Sequence, residues 1–208
     1  MPDKQFPQAV EAYESLLKGL KDIIRTAQVK AYLAVNQELI GLYWSIGRDI
    51  LTQESEQGWG AKVVDRLALD LKSAFPEVKG FSARNLRYMK VFAESYPDPA
   101  ILQAAPAKLT WYHNCTLLDK VKDSGKRHWY ALQTIENGWS RDLLVHQIES
   151  GLYERQGKST TNFKSTLPHP KSELAHQLLK DPYNFDFLEM GKEQIERDLE
   201  TGLLGKSR

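Results

Sequence analysis

Between about Gln8 and Glu54 the chain carries no proline, and its apolar residues recur at intervals of three and four. Leu16, Leu20, Ile23 and Ala27 form one stripe, and Ala31, Val35, Leu39, Tyr43, Ile46 and Ile50 continue it. That spacing places the side chains on one face of a helix. The stretch reads as one long helix or two stacked ones, with Gly19, Asn36 and Gly47 as its weakest points. A stripe of some 40 residues extends for about 60 Å at 1.5 Å per residue. A compact helical domain does not easily cover such a length alone, so a homodimer through this helix is expected.

After the glycines of "QESEQGWG", a second helix is predicted over roughly Ala61 to Phe75, with Val64, Leu67, Leu71 and Phe75 on one face. Pro76 stops it. The turn "PEVKGF" leads to Ser82, whose hydroxyl can accept a free backbone amide and start a third helix running to about Tyr96. Two helices joined by a glycine-containing turn match a helix-turn-helix. Further on, "AKLTWYHNCTLLDKV", "KRHWYALQTIEN" and "SRDLLVHQIESGLYER" read as three more helices, with turns at Asp123–Gly125 and Gly138 and a cap at Ser140. No stretch alternates strongly enough for a strand, so the expected fold class is all-α.

From Gln156 to Ser172 the segment "QGKSTTNFKSTLPHPKS" is polar with two prolines and reads as a linker or extended arm. Residues 1–155 are thus expected to form one helical domain, 156–172 a linker and 173–208 the start of a second domain. The last predicted helix, Lys192 to about Leu204, presents Ile195, Leu199 and Leu203 with no following sequence to cover them. On this reading the segment after Ser172 is poorly anchored.

Whole-chain charge carries no binding signal, since 28 basic residues face 27 acidic ones. The local balance differs. Between Gly58 and Phe92 seven basic residues stand against three acids, a surplus of +4. On a helical wheel of residues 82–96, Leu86, Met89, Ala93 and Tyr96 face inward, while Arg84, Arg87 and Tyr88 point outward with Lys90 on the flank. Lys79 precedes them in the turn. Arginine and lysine so placed can hold DNA phosphates, and arginine can fork onto a guanine edge. The candidate nucleic-acid-binding residues are therefore Lys79, Arg84, Arg87, Tyr88 and Lys90. A solvated basic face on a structural helix pair fits the same pattern. Asn85 falls on the inward side and reads as a structural hydrogen bonder.

Other chemistries find little support. The five histidines show no metal-ligand spacing, and His113 and His146 read as structural. Cys115 has no disulfide partner and reads as a small core residue. The five tryptophans read as core anchors. "GWGAKV" lacks the pattern of a phosphate loop. Glu196 and Glu200 stand at i, i+4, where two carboxylates could share a cation, but Arg197 beside them favours a solvated edge. No apolar run is long enough to span a membrane, and the N-terminus lacks a secretion signal. A cytoplasmic protein is expected, with no resident metal or catalytic residues.

The motifs "VNQELIGLYWSIGRDI", "GWGAKVVDRLALDLKSAFPEVKGFSARNLRYMKVFAESYP", "LTWYHNCTLLDKV", "WYALQTIENGWSRDLLVHQIESGLYER" and "DPYNFDFLEM" together resemble the YhcG-like bacterial proteins. The resemblance runs in order from about Tyr13 to Leu203. It implies a helical N-terminal domain joined to a C-terminal PD-(D/E)XK nuclease domain, with duplex DNA bound through a helix-turn-helix corresponding to Ala61–Tyr96. It also implies that "DPY" and the following acidic helix open the nuclease domain. Glu196 or Glu200 would match its first-helix glutamate, while the metal-binding aspartate and the Glu-x-Lys pair are absent. Mg2+ or Mn2+ would then be needed only by a complete nuclease domain. The expectation is a DNA-binding module that is catalytically incompetent by itself. The alternative is a dimerisation or protein-interaction module that positions a nuclease without touching DNA.

Overall fold

The computed structural model describes residues 6–156 and Tyr183. Every regular element among them is helical, as the absence of alternating patterns predicts. The expected linker and second-domain segment, with Glu196 and Glu200, lie outside the described residues apart from Gln156 and Tyr183.

The proline-free stretch forms one continuous helix, α1 (Phe6–Gln57). Gly19, Asn36 and Gly47 do not break it. Gly58, with φ +65°, ends it in the left-handed conformation that glycine adopts without a Cβ penalty. Helix α2 (Ala61–Ala74) stops before Pro76. A 3-10 turn (Lys79–Phe81) then leads to α3 (Ala83–Ser95). Ser82 caps α3 as expected, its hydroxyl accepting the Asn85 amide at 3.2 Å.

Two predicted helices are each divided in two. Thr110 caps a new helix by accepting the His113 amide, which separates α4 (Ala105–Lys108) from α5 (Trp111–Lys120). Helix α6 (Ser124–Asn137) follows, capped by Asp123 and closed by Gly138 at φ +62°. Ser140 starts α7 (Arg141–Glu149). Gly151, at φ +65°, interrupts the last predicted helix, leaving α8 (Leu152–Gln156) as a separate turn. Periodicity persists across these breaks, so the apolar pattern alone does not reveal them.

The first core packs the second half of α1 against α3, with α2 on one side and α5 on the other. Leu86, Met89 and Phe92 of α3 are completely buried against Leu39, Ile40 and Tyr43 of α1. At Gly47 these two helices approach closely: a Cβ there would overlap the Met89 carbonyl. Trp111 joins α5 to this core, its ring 4.9 Å from Tyr43 and 5.4 Å from Phe92, both edge-on. Burial of each such side chain stabilises the fold by roughly 1.5–3 kcal/mol. The opposite side of α5 supplies Leu117 and Val121 to a second core with Tyr130, Ala131, Trp139 and Leu144. Helix α5 therefore fastens the two cores together.

Buried polar side chains hold the junctions. Asn85 donates to the Gly80 carbonyl at 2.5 Å and accepts from the Trp111 indole at 2.6 Å, locking the α2–α3 turn to α5. Asn36 donates to the Leu109 and Ala107 carbonyls at the C-terminal end of α4. Arg127 donates to the Val121 and Lys122 carbonyls at the end of α5, where a cation also complements the helix dipole.

The long apolar stripe of α1 divides at Asn36, the first fully buried residue of the helix among those whose burial is described. Leu39, Tyr43 and Ile50 enter the core, whereas Leu16, Leu20 and Ile23 are exposed. Among the described residues no helix is long and apolar enough to cross a membrane.

Candidate nucleic-acid interface

Packing of Leu86, Met89 and Phe92 against α1 turns the opposite side of α3 outward. Arg84 and Arg87 are exposed, Tyr88 and Lys90 are half-buried, and Lys79 is exposed in the preceding turn. The wheel thus describes α3 correctly, but tertiary contacts give its polar residues separate partners. Arg87 pairs with Asp65 on α2. Lys90 reaches Glu54 on α1 at 3.0 Å, with both side chains largely covered. The Tyr88 hydroxyl donates to Asp119 on α5 at 2.8 Å. Helix α3 is thereby tied to three neighbours along its polar flank.

Arg84 is different. Its guanidinium lies 5.6 Å from the Tyr88 ring and donates to the Tyr88 hydroxyl at 3.4 Å. This hydrogen bond holds its pKa above the ordinary arginine value. The guanidinium stays charged at every accessible pH. The other carboxylates reduce the local surplus: Glu54 and Asp119 come from outside the 58–92 segment and bring its +4 down to +2.

Arg84 stands beside a cleft of about 330 Å³ between α3 and α5, lined also by Tyr88, Tyr112, Asp119, Arg141 and Tyr183. On its far side Arg141 stacks 6.0 Å over the Tyr112 ring. The cleft therefore has an arginine–tyrosine stack on two sides, one from α3 and one shared between α7 and α5. Tyr183 packs edge-on at 6.3 Å from Tyr43 and lies 5.1 Å from Tyr112. The absence of a Cβ at Gly80 makes room here, since one would overlap the Tyr43 hydroxyl and touch Tyr183. Tyr183 itself is thus seated on the helical core, while the rest of the segment expected to be weakly anchored lies outside the described residues.

Arg141 and Tyr112 were not legible as site residues. They lie far from the α2–α3 motif in sequence and reach the cleft only through packing of α5 and α7. One signal was present: Arg141 occupies the first turn of α7, where a cation opposes the helix dipole. Cys115 also lines the cleft and, half-buried, packs against the edge of the first core.

Of the remaining candidates His113 and four of the tryptophans are structural, whereas His146 and Trp59, expected to be so too, belong to neither core. His113 is fully buried, and burial pushes its pKa down to about 4. Its Nε2 lies 3.1 Å from the Trp139 carbonyl and must donate. Its Nδ1 then accepts from the Thr110 hydroxyl at 2.8 Å, so the imidazole is neutral with the proton on Nε2. His146 is exposed on α7. Trp111 and Trp139 are buried anchors, Trp44 and Trp129 pack at the core edges, and Trp59 is half-exposed. Among the described residues, no three His, Cys, Asp or Glu side chains converge on a point where a metal ion could bind.

The model of the DUF1016 N-terminal domain matches residues 19–155. A protein of Escherichia coli (strain K12) described as "Putative nuclease YhcG" is 28% identical over 229 aligned positions, covering 92% of this chain and 60% of that protein. The chain thus spans about three fifths of that relative's length. No solved structure matches it. The YhcG-like resemblance of the tryptophan-containing motifs holds, and with two thirds of its residues inside the match the chain belongs to the DUF1016 N-terminal domain family.

Proposed function

We propose that this chain is a DNA-contacting domain, in which α2 and α3 act as a helix-turn-helix and Arg84 and Arg141 hold backbone phosphates at the mouth of the α3–α5 cleft. The observation that carries the reading is the pair of arginine–tyrosine stacks on two sides of one cleft. A guanidinium matches phosphate with two parallel hydrogen bonds, and stacking on a ring pre-orients it. Lys79 and Arg87 flank the same end of α3 and supply further positive charge. Lys90 is assigned instead to holding α3 on α1 through Glu54. Phosphate contacts of this kind position a duplex without reading its sequence. The nuclease description belongs to the E. coli relative. Carried to this chain, it makes DNA the ligand class to test first.

The test is fluorescence anisotropy of a short labelled duplex titrated with the chain across a salt series. The parent should bind, with log affinity falling linearly against log salt. Replacing Arg84 and Arg141 by alanine should weaken binding and reduce the steepness of that line by about 2, roughly one per lost phosphate contact. A parent that does not bind duplex, or a double variant that follows the parent at every salt concentration, refutes the assignment.

A further inference from the structure

The first half of α1 carries an apolar stripe that stays exposed. Tyr13, Leu16, Leu20, Ile23 and Ile24 are between 47% and 66% exposed, and no residue from Glu11 to Val35 is buried. Within this stripe Tyr13, Leu17, Leu20, Ile24, Ala27, Ala31 and Ala34 follow spacings of four and three in strict alternation. That is a period of 3.5, the seam of two helices wound around each other. The bulky side chains are confined to residues 13–24, and alanines continue the seam beyond them. Behind it, Ser15, Lys18, Asp22 and Arg25 form a polar face with an Asp22–Arg25 pair.

We propose that a second copy of this chain covers the stripe, the two α1 arms pairing antiparallel about a point between Leu17 and Leu20. In that register Tyr13 meets Ile24 of the second copy, and Leu17 meets Leu20. Leu16 and Ile23 then face one another along one edge of the seam. Along the other edge Glu14 faces Lys21 of the second copy, and symmetry creates that attractive contact twice. A parallel pair would set Lys21 beside Leu16 and leave Glu14 without a charged counterpart. Charge complementarity therefore selects both the occupant and its direction. The arm is separate from Arg84 and Arg141, so this inference does not depend on the DNA reading.

Sedimentation equilibrium of the full chain tests it. The parent should be a dimer, and Leu20→Glu should be a monomer with unchanged helicity by circular dichroism. Glu14→Lys and Lys21→Glu should each weaken dimerisation by about tenfold through two like-charge contacts, and E14K/K21E together should restore it. All three positions are exposed and precede the first buried residue of α1, so the core should survive each change. A monomeric parent at high micromolar concentration overturns the proposal, as it would if the chain's own residues 192–204 or another protein were the natural cover. A dimer that persists in Leu20→Glu removes this face from consideration. Indifference to the single charge reversals, or failure of the double reversal to restore the dimer, overturns the antiparallel register.

Discussion

Two glycines six residues apart on α1 should respond to the same substitution with opposite signs. Alanine exceeds glycine in helix propensity by roughly 0.8–1 kcal/mol, because glycine loses more backbone freedom on folding. At Gly41 an added methyl would find Leu102 Cδ2 at 3.7 Å, an ordinary contact. Gly41→Ala should therefore stabilise the chain by about 0.5–1 kcal/mol. At Gly47 the methyl would overlap the Met89 carbonyl and come within 2.9 Å of Ala93 Cβ. The obstructing atoms belong to a buried backbone and to a Cβ, so no side-chain rotation relieves them. Helix α1 must move away from α3, and overpacking of this kind costs roughly 1–3 kcal/mol, which exceeds the propensity gain. Thermal unfolding by circular dichroism, supported by urea titration, measures both variants. A chain of this size shifts by about 2–4 °C per kcal/mol. Gly41→Ala should raise Tm by a few degrees and Gly47→Ala should lower it, with Gly19→Ala, in open space, as a second gaining control. Equal stability of the Gly41 and Gly47 variants would refute the close α1–α3 crossing.

Asn85→Ala leaves the Trp111 indole N–H and the Gly80 carbonyl buried without partners, at roughly 1–3 kcal/mol each; in that background Trp111→Phe should cost about 1 kcal/mol less than in the parent, and additivity in a double-mutant cycle would argue against the bridge. His113 is lowered from 6.5 to about 4 in the fold, so between those values the unfolded chain binds more protons than the native one. Its contribution is fully present above about pH 6.5 and is lost as pH falls towards 4, up to roughly 3 kcal/mol; urea midpoints at pH 7.5 and 5 should reveal it, and His113→Gln should flatten the difference. Lys90→Ala removes the clamp to Glu54 and should lower stability by about 1 kcal/mol while leaving duplex affinity and its salt dependence unchanged. Loss of binding in that variant without loss of helicity would return Lys90 to the DNA-contacting set.

Much of the helical skeleton follows from local chemistry. Proline-free periodicity specifies α1, Pro76 ends α2, and the side-chain oxygens of Ser82 and Ser140 start α3 and α7, because each signal acts within one or two turns. The same locality explains the inward direction of Leu86 and Met89 and the outward direction of Arg84 and Arg87. Where local signals compete, the pattern is silent: Thr110 and Gly151 divide apparently continuous helices, since an amphipathic stripe can cross a break without losing its phase. Partners are a different matter. Asp65 for Arg87, Glu54 for Lys90 and Arg141 beside the cleft come from elements distant in sequence, and only packing brings them together. Periodicity likewise determined that α1 carries an apolar stripe from one end to the other. Which half is buried was decided by the tertiary structure, because burial begins at Asn36, held by the Ala107 and Leu109 carbonyls, and continues through the close approach to α3 that Gly47 permits.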